Sequence, residues 1–558
     1  MRFLFSFILI FFFLGVESSR AQTYKITYQK SYNGNLIENQ DDIVVITNSD
    51  YTYITSRQIQ KGVKEFPFEE IFVDRKKENT YRQIAFVNAE QSFGFLDSLN
   101  LKKQSFTFFE EQKTILGYTC KKARTVINSN TIDVWFTNEL KVKGSPMVLG
   151  QNLGLVLEIN RNGNYVVQAN QIEKINIKKS AFSVRDFSKV KMLDNLTYRH
   201  LLWKSRFITL SVFKNEIINF SGDSQSNDSV LRFANGTIIL RKIKFPEIPQ
   251  GSQIFAELIT QSNGDAYDRT GSVFVIPADS KISFLDALQK GVKELPIYTN
   301  GNSKEYRGVV KTEDYTPLIE LMRFFTPFGI KHYNHIQLKD KMWQDSVLYR
   351  QDISELQPVL SSKELYVGAF IGNYDKGGHK ISLEITIHKE EKQSPKNAYL
   401  IPLFNTTNVM EMAGQEYATM FNTDKGLEVT FSLDKEIKNA KLRYITTGHG
   451  GWAGGDEFLP KKNTIILDGK EVFSFVPWRQ DCGSYRLYNP ASGNLDNGLS
   501  SSDYSRSNWC PGTLTNPILI DLGDLSEGTH TIRVKIPQGA PEGTSFSSWN
   551  VSGLLLGE

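Results

Sequence analysis

The chain has 558 residues, 40% hydrophobic and 12% aromatic, with 65 basic residues against 61 acidic ones and a formal net charge of +4. That length exceeds what one hydrophobic core serves and predicts about three or four domains, while the composition excludes an intrinsically disordered chain. Basic and acidic residues interleave along the sequence, so nothing forms a polyanion-binding stripe and nucleic acid is not an expected partner.

The first 21 residues have the build of a signal peptide. Arg2 precedes an apolar run over 3–16, and Ser19-Arg20-Ala21 is a small-x-small cleavage site, so the mature chain is expected to begin at Gln22. The run is too short for a comfortable membrane span and no other long one follows; an exported protein, periplasmic or secreted, is expected. Three cysteines are present, and an oxidising compartment predicts one disulfide. The closer pair, Cys482 and Cys510, would close a loop with about 3–4 kcal/mol of chain-entropy stabilisation. Cys120 is then expected to be a small buried hydrophobe.

From 22 to 180, short alternating or apolar runs at 42–47, 131–136 and 154–159 predict strands. Asn162-Gly163-Asn164 predicts a hairpin turn. Residues 181–228 change character: Arg185, Lys189, Lys191, Arg199, Lys204 and Arg206 lie among Leu201, Leu202, Trp203 and Phe207, and a run rich in Ser, Asp and Asn follows. A connector is expected there. Strands resume at 231–233, 237–244, 273–277 and 380–389; in the last, Ile381, Leu383, Ile385 and Ile387 alternate with Ser382, Glu384 and Thr386, as in a half-buried antiparallel strand. In the insertion before it, the apolar spacing over 315–325 also fits a helical piece.

A charged, proline-marked linker over 389–395 sets off the last segment. There Leu427, Val429, Phe431 and Leu433 alternate, Asp468-Gly469 is a turn, and Ile532, Val534 and Ile536 form a late strand. The expected architecture is all-β: a β-rich N-terminal domain (22–180), a connector (181–228) and two tandem β-sandwiches (229–392 and 393–558) with a natural ligand cleft between them.

Several familiar chemistries are excluded by absent motifs: no nucleophile elbow, phosphate-binding loop, dinucleotide fingerprint or H-E-x-x-H helix occurs. His332 and His335 are the only close histidine pair and have no cysteines nearby, so no metal is expected. Three clusters remain. Asp265-Ala-Tyr-Asp-Arg269 runs into a strand. A glycine-rich stretch, Thr446-Thr-Gly-His-Gly-Gly-Trp-Ala-Gly-Gly-Asp-Glu-Phe458, ends in an acidic pair. Tyr504-Ser-Arg-Ser-Asn-Trp-Cys-Pro-Gly512 surrounds one cysteine. Singly these read as a strand-end ion pair, a turn and a stapled loop. Together they offer a base, a second acid, a fixed cation and flat aromatic faces, which sugar-amide or glycosidic chemistry requires.

Two phrases in the N-terminal domain, 115–123 (ILGYTCKKA) and 149–159 (LGQNLGLVLEI), resemble the GLPGLI family of exported Bacteroidetes proteins, which implies a bowl- or barrel-like module; the family's namesake proline is missing here. From about 228 to 558 the chain resembles the peptide-N-glycosidase F family. The order D-x-x-D-R-x-x-x-V-x-V, then a glycine-rich loop to Glu, then R-x-x-W-C-P-G carries the likeness. The resemblance implies two antiparallel jelly-roll sandwiches and an asparagine amidase that acts on N-glycosylated proteins and peptides, without a cofactor.

Carried over, the family's essential Asp falls on Asp268, its Glu on Glu457 and its Arg on Arg506, and Cys482 with Cys510 resembles its long-loop disulfide. Tyr267, Arg269, His449, Trp452 and Trp509 are the expected substrate-binding residues, the aromatic ones stacking on sugar faces. Two small family disulfides are missing, with Gly455 and Leu459 standing where cysteines would flank Glu457. A further family carboxylate aligns with Phe370, which leaves its role vacant or filled from the insertion. A monomer is expected. Rival readings are a non-catalytic glycan-binding jelly roll and a glycoside hydrolase using Asp268 and Glu457 as its acid and base.

Overall fold

A computed structural model describes residues 22–558 except 39, 64, 77–79, 89, 98–99, 177–189, 279, 336, 390–398, 407–408, 410–417, 451–453, 491–499 and 541–545. The expected signal peptide, most of the 389–395 linker and Trp452 lie outside the described residues. The chain divides into two compact units, Met1–Arg206 and Phe207–Glu558.

The first unit is built on one long, almost wholly antiparallel sheet. Thr23–Tyr32 lies in its middle, between Ile43–Thr47 and Tyr165–Ile175. Among the described residues no pairing joins the two ends of this sheet into a closed barrel. Ile26, Tyr28, Val45, Leu155 and Leu157 fill its main core together with the free, buried Cys120. At the expected hairpin Asn162 and Gly163 take φ of 56° and 77°, the left-handed conformation that Asn and Gly tolerate best.

The stretch 181–228 is more than a connector. Helix Asn195–Lys204 is capped by the Asp194 side chain, which accepts from the Thr197 amide at 2.9 Å, and it buries Tyr198 against Phe93 and Phe95. Strand Ile208–Ile218 pairs with His379–His388, so the first sandwich begins at 208 rather than 229. The interleaved lysines and arginines disguise both elements, because they occupy the solvent side of faces whose other side is apolar.

In the second unit the first sandwich packs a four-stranded sheet (Ile208–Ile218, His379–His388, Gln253–Ser262, Ser346–Asp352) on a six-stranded one. The six-stranded sheet runs Leu231–Phe233, Ile238–Lys244, Glu364–Ile371, Thr270–Ile276, Ile319–Phe325, Leu514–Thr515. Its last strand comes from the C-terminal half of the chain and stitches the sandwiches together. Ile381, Leu383, Ile385 and Ile387 all point into this core, as their alternation predicts. The ambiguous 315–325 run is strand over Ile319–Phe325, buried along its whole length.

The second sandwich packs the sheet Tyr399–Asn405, Ser548–Gly557, Ile437–His449, Ile518–Leu525 on the sheet Leu427–Leu433, Gly528–Lys535, Asn463–Leu467, Lys470–Phe475. Asp468 and Gly469 form the expected turn, with φ of 49° and 81°.

Strands Ile319–Phe325 and Ile437–His449 are buried on both faces because the sandwiches meet there. The contact is polar at its centre. Glu320 and Arg323 form a fully buried ion pair at 2.7 Å. Glu320 also accepts from Ser272 and Ser552, while Arg323 donates to the Asn550 carbonyl and Thr447. Arg443 reaches back to Glu355 at 2.6 Å and to the Glu320 carbonyl. Such a network is stabilising only when complete; losing one member strands a buried charge at about 3–5 kcal/mol. The sandwiches are thereby fixed in one relative position.

Candidate active site

The six-stranded sheet delivers the first acidic residue. Asp268 ends a tight loop just before strand Thr270–Ile276, and the loop is organised by Asp265, whose side chain is 1% exposed. Arg269 returns two hydrogen bonds to it (2.7 and 3.0 Å), the Tyr267 amide adds a third, and His379 stands 3.4 Å away. Burial alone would raise the Asp265 pKa, but the nearby His379 ring and the hydrogen bonds and charge of Arg269 hold it well below the usual carboxylate range. Thr326 closes the loop from the neighbouring strand: its hydroxyl accepts from the Arg269 amide at 2.8 Å, and its own amide donates to the Arg269 carbonyl.

The second sandwich delivers Glu457. Its loop leaves strand Ile437–His449 at Gly450, where φ is 78° and a Cβ would collide with the Phe546 carbonyl; only glycine fits. Asp456, fully buried, points the other way and pins the loop by accepting from Trp549 Nε1 at 2.7 Å and from the Gly539 amide at 3.0 Å. Ser507 completes the hold by donating to the Asp456 carbonyl from its hydroxyl and to the Glu457 carbonyl from its amide.

Arg506 joins the two acids. The Cys482–Cys510 disulfide, with Cα atoms 5.1 Å apart, and the paired backbones of Arg479 and Arg506 hold its loop. The guanidinium is 1% exposed. Its Nη1 is paired with Glu457 Oε1, and its Nη2 lies 3.2 Å from Asp268 Oδ2 and donates to the Ser501 carbonyl at 2.7 Å. Its flat faces meet Trp509, 4.2 Å to the ring centroid, and Phe458, 5.1 Å. Among the described residues Arg506 Nε is buried without a hydrogen-bond partner.

Two carboxyl groups therefore share one cation at the seam between the sandwiches. Burial raises the pKa of Asp268, opposed chiefly by Arg506. Burial raises that of Glu457 to about 7; Arg506 opposes the rise and the charge of Asp268 adds to it. Both carboxyl groups are thus pushed toward holding a proton, and because they share one guanidinium they titrate as a pair.

The expected substrate-binding residues separate into two groups. Tyr267 is 54% exposed beside Asp268, so its ring is free to meet a ligand. Trp509 corrects the expectation that it stacks on a sugar: it is 4% exposed, lies flat on Phe325 at 4.4 Å, and donates from Nε1 to the Gly448 carbonyl. Its accessible face is covered by Arg506, so it supports the cation. Arg269 is committed to Asp265. His449 contacts Thr447 at 2.8 Å and is kept neutral, with burial and then Arg323 and Arg506 pushing its pKa down to about 3. Phe370 is 2% exposed in the apolar layer formed with Ile238, Leu240 and Phe274.

Of the insertion's described carboxylates, Asp286, Glu305 and Asp314 pair with Lys290, Arg307 and Lys281. Its aromatic residues Tyr298 and Tyr306 enter the core of the second sandwich. Sequence reasoning missed the short helix Ile330–Tyr333 as a support of the Asp268 loop: His332 Nε2 lies 2.8 Å from the Gly264 carbonyl, and the Gly329 amide before the helix donates to the Ala266 carbonyl. No local pattern marks it, because tertiary folding alone brings it to the loop.

The family profile described as "Peptide-N-glycosidase F, N terminal" matches residues 209–387 and that described as "Peptide-N-glycosidase F, C terminal" matches 416–556. Residues 26–200 match "N-glycanase peptide, N-terminal domain". No curated protein matches the chain. Among solved structures, PNGF-II in a P21 crystal form is 59% identical with a TM-score of 0.90, covering 96% of this chain and 99% of that one. PNGF-II in a C2 form is also 59% identical, with a TM-score of 0.89 over 96% and 98% of the two chains. PNGase F from Flavobacterium meningosepticum, described as a glycosylasparaginase, is 15% identical with a TM-score of 0.39 over 63% of this chain and 96% of its own, a likeness that carries no argument. With matched profiles along most of its length and a full-length relative of this identity, the chain belongs to the peptide-N-glycosidase F family.

Proposed function

We propose that the chain hydrolyses the side-chain amide joining asparagine to the first N-acetylglucosamine of an N-glycan, releasing the intact glycan as a glycosylamine and leaving aspartate. The observation that carries this reading is one buried guanidinium bound to two carboxyl groups, one of which, Glu457, has its pKa raised by burial to about 7. Asp268, ionised, takes a proton from water, and the oxygen attacks the amide carbon. The oxyanion that forms is met by Arg506, whose Nε is the donor still unused. As the C–N bond breaks, Glu457 gives its proton to the leaving nitrogen. Proton return from Asp268 to Glu457 through solvent restores the pair, so amide and water become acid and amine with nothing left over.

Tyr267 lies where a sugar face would stack. His449, neutral, would border the same space, and Trp452 is proposed for the same role on the sequence resemblance alone. The reaction needs no cofactor in this scheme. We further assign the first unit an accessory role in reaching glycans on proteins, and place the enzyme outside the cytoplasm as a monomer.

Mass spectrometry of a treated N-glycopeptide tests the reading. Conversion of asparagine to aspartate with loss of the whole glycan is expected. N-acetylglucosamine retained on asparagine would instead indicate a glycoside hydrolase, and an unchanged glycopeptide a binding protein. For the first unit, the comparison is between the full chain and one beginning at 207, on a glycoprotein and on its glycopeptide. Unaltered activity on both would refute the accessory role.

A further inference from the structure

Thr447 and His449 lie two residues apart at the end of strand Ile437–His449, so their side chains leave the same face. That face meets the first sandwich. Thr447 is fully buried, and its Oγ1 accepts from Arg323 Nη1 at 3.2 Å. Glu320 holds Arg323 in turn, through Nε at 3.0 Å and Nη2 at 2.7 Å. On its other side Thr447 Oγ1 stands 2.8 Å from His449 Nε2. The half-buried His449 ring lies 5.8 Å from Phe325 and 5.5 Å from Trp509, the ring that carries Arg506. Phe325 is the register partner of Thr270, which follows Asp268 by two residues. A relay from Glu320 through Arg323 and Thr447 to His449 thus runs from the buried ion pair to the edge of the site.

What each group can donate sets the direction of each bond. A guanidinium has no acceptor, so Thr447 accepts from Arg323 and its hydroxyl keeps one proton to give. Among the described residues the acceptor this proton meets is His449 Nε2. Were Nε2 itself protonated, the hydroxyl would be a buried donor without a partner, at about 1–3 kcal/mol. Nε2 therefore accepts. Burial, with Arg323 and Arg506 nearby, keeps the ring to a single proton, which then sits on Nδ1. A sugar hydroxyl can meet either tautomer, because it both donates and accepts; a carbonyl oxygen only accepts, so the choice of tautomer matters to it. The substrate has two amide carbonyls next to the scissile bond, and Arg506 meets the one that reacts. Resting on the amidase reading, we infer that Thr447, backed by Arg323, is a positioning residue that fixes His449 in the Nδ1–H tautomer as a donor to the acetamido carbonyl of the asparagine-linked N-acetylglucosamine. It acts on sugar binding and leaves the chemical step alone.

Thr447→Val keeps the shape of the side chain and removes the hydroxyl; Thr447→Ser keeps the hydroxyl. Nitrogen NMR of the histidine-labelled full chain reads the tautomer, with His449 identified by the signals lost in His449→Ala. The wild type should show a protonated Nδ1 and a bare Nε2, Thr447→Val should lose that preference, and Thr447→Ser should restore it. For an N-glycopeptide, Thr447→Val should raise KM about threefold to tenfold with kcat within about twofold, and Thr447→Ser should return KM to the wild-type value. In a His449→Ala background Thr447→Val should have no further effect, since the donor it positions is gone. Calorimetry with di-N-acetylchitobiose gives a reading free of turnover: Asp268→Asn/Thr447→Val should bind about threefold to tenfold more weakly than Asp268→Asn. A proton on Nε2 in the wild type overturns the assignment whether or not the variants fold. So do equal chitobiose affinities or no chitobiose binding, a fall in kcat at constant KM, and a full Thr447→Val effect persisting without His449. Absence of turnover in the wild-type chain, by contrast, would strike the amidase reading, and the nitrogen spectra and calorimetry would still decide this one.

Discussion

The loops that carry Asp268 and Glu457 solve one problem in two ways. Each must hold a working carboxyl group at the seam between the sandwiches, and each does so with a second, fully buried carboxylate in the same loop. Asp265 is clamped by charge, with Arg269 in bidentate contact and His379 behind it. Asp456 is clamped mainly by neutral donors, Trp549 and the Gly539 amide, with Lys461 at 3.6 Å. The counter-charge of the first anchor also acts on its neighbour: burial raises the Asp268 pKa, and Arg269, after Arg506, opposes the rise. At Glu457 the opposing charge is that of Arg506, and the carboxyl climbs to about 7. The two anchors thus leave different charges beside their working carboxyl groups.

The largest expected effect is at the base. Asp268→Asn should abolish glycan release while the circular dichroism spectrum stays that of the wild type; full retained activity would remove Asp268 from the mechanism. Arg506→Lys keeps a charge but cannot hold both acids and present a third donor. It should lower kcat about 100-fold to 1,000-fold, read by steady-state kinetics on a glycopeptide.

The two anchors should then differ in stability. Asp265→Asn strands the charge of Arg269 and is expected to cost about 3–5 kcal/mol. Asp456→Asn retains an acceptor for Trp549 and should cost about 1–2 kcal/mol. Denaturant midpoints of the two variants check this, and equal losses would break the comparison.

The smallest effect is a dependence on pH. Glu457 has a folded pKa near 7, above its ordinary 4.5, so between these values the folded chain binds more protons than the unfolded one. Stability from this group therefore falls as pH rises through that window. Glu457→Gln removes the dependence. Its melting temperature relative to wild type should be higher at pH 8 than at pH 4.5, although its activity is lost. In the wild type, kcat/KM should decline above about pH 7 as Glu457 loses its proton.

How much of this was legible in the sequence depends on the range over which each residue acts. Ile381 to Ile387 announce a half-buried strand by period alone, and Asn162-Gly163 and Asp468-Gly469 announce their turns by backbone preference. The Asp, Glu and Arg clusters were visible as motifs, and the folded chain brings Asp268, Glu457 and Arg506 into contact from three separate stretches. Trp509 misled because an aromatic residue in a motif has the same letter whether its face meets a ligand or a guanidinium. Strand Ile208–Ile218 was hidden because the exposed Lys214 and Asn215 interrupt its apolar run.

By itself the sequence determined the all-β class, the sandwich strands, the turns and the identity of the three charged residues, since periodicity and local backbone preference need no distant partner. Tertiary structure alone decided that Glu457 is raised to about 7, that Asp265 and Asp456 are anchors and that Trp509 is a support. Those properties depend on burial and on charges and rings contributed by residues far away in the chain, and neither is fixed until the two sandwiches close on each other.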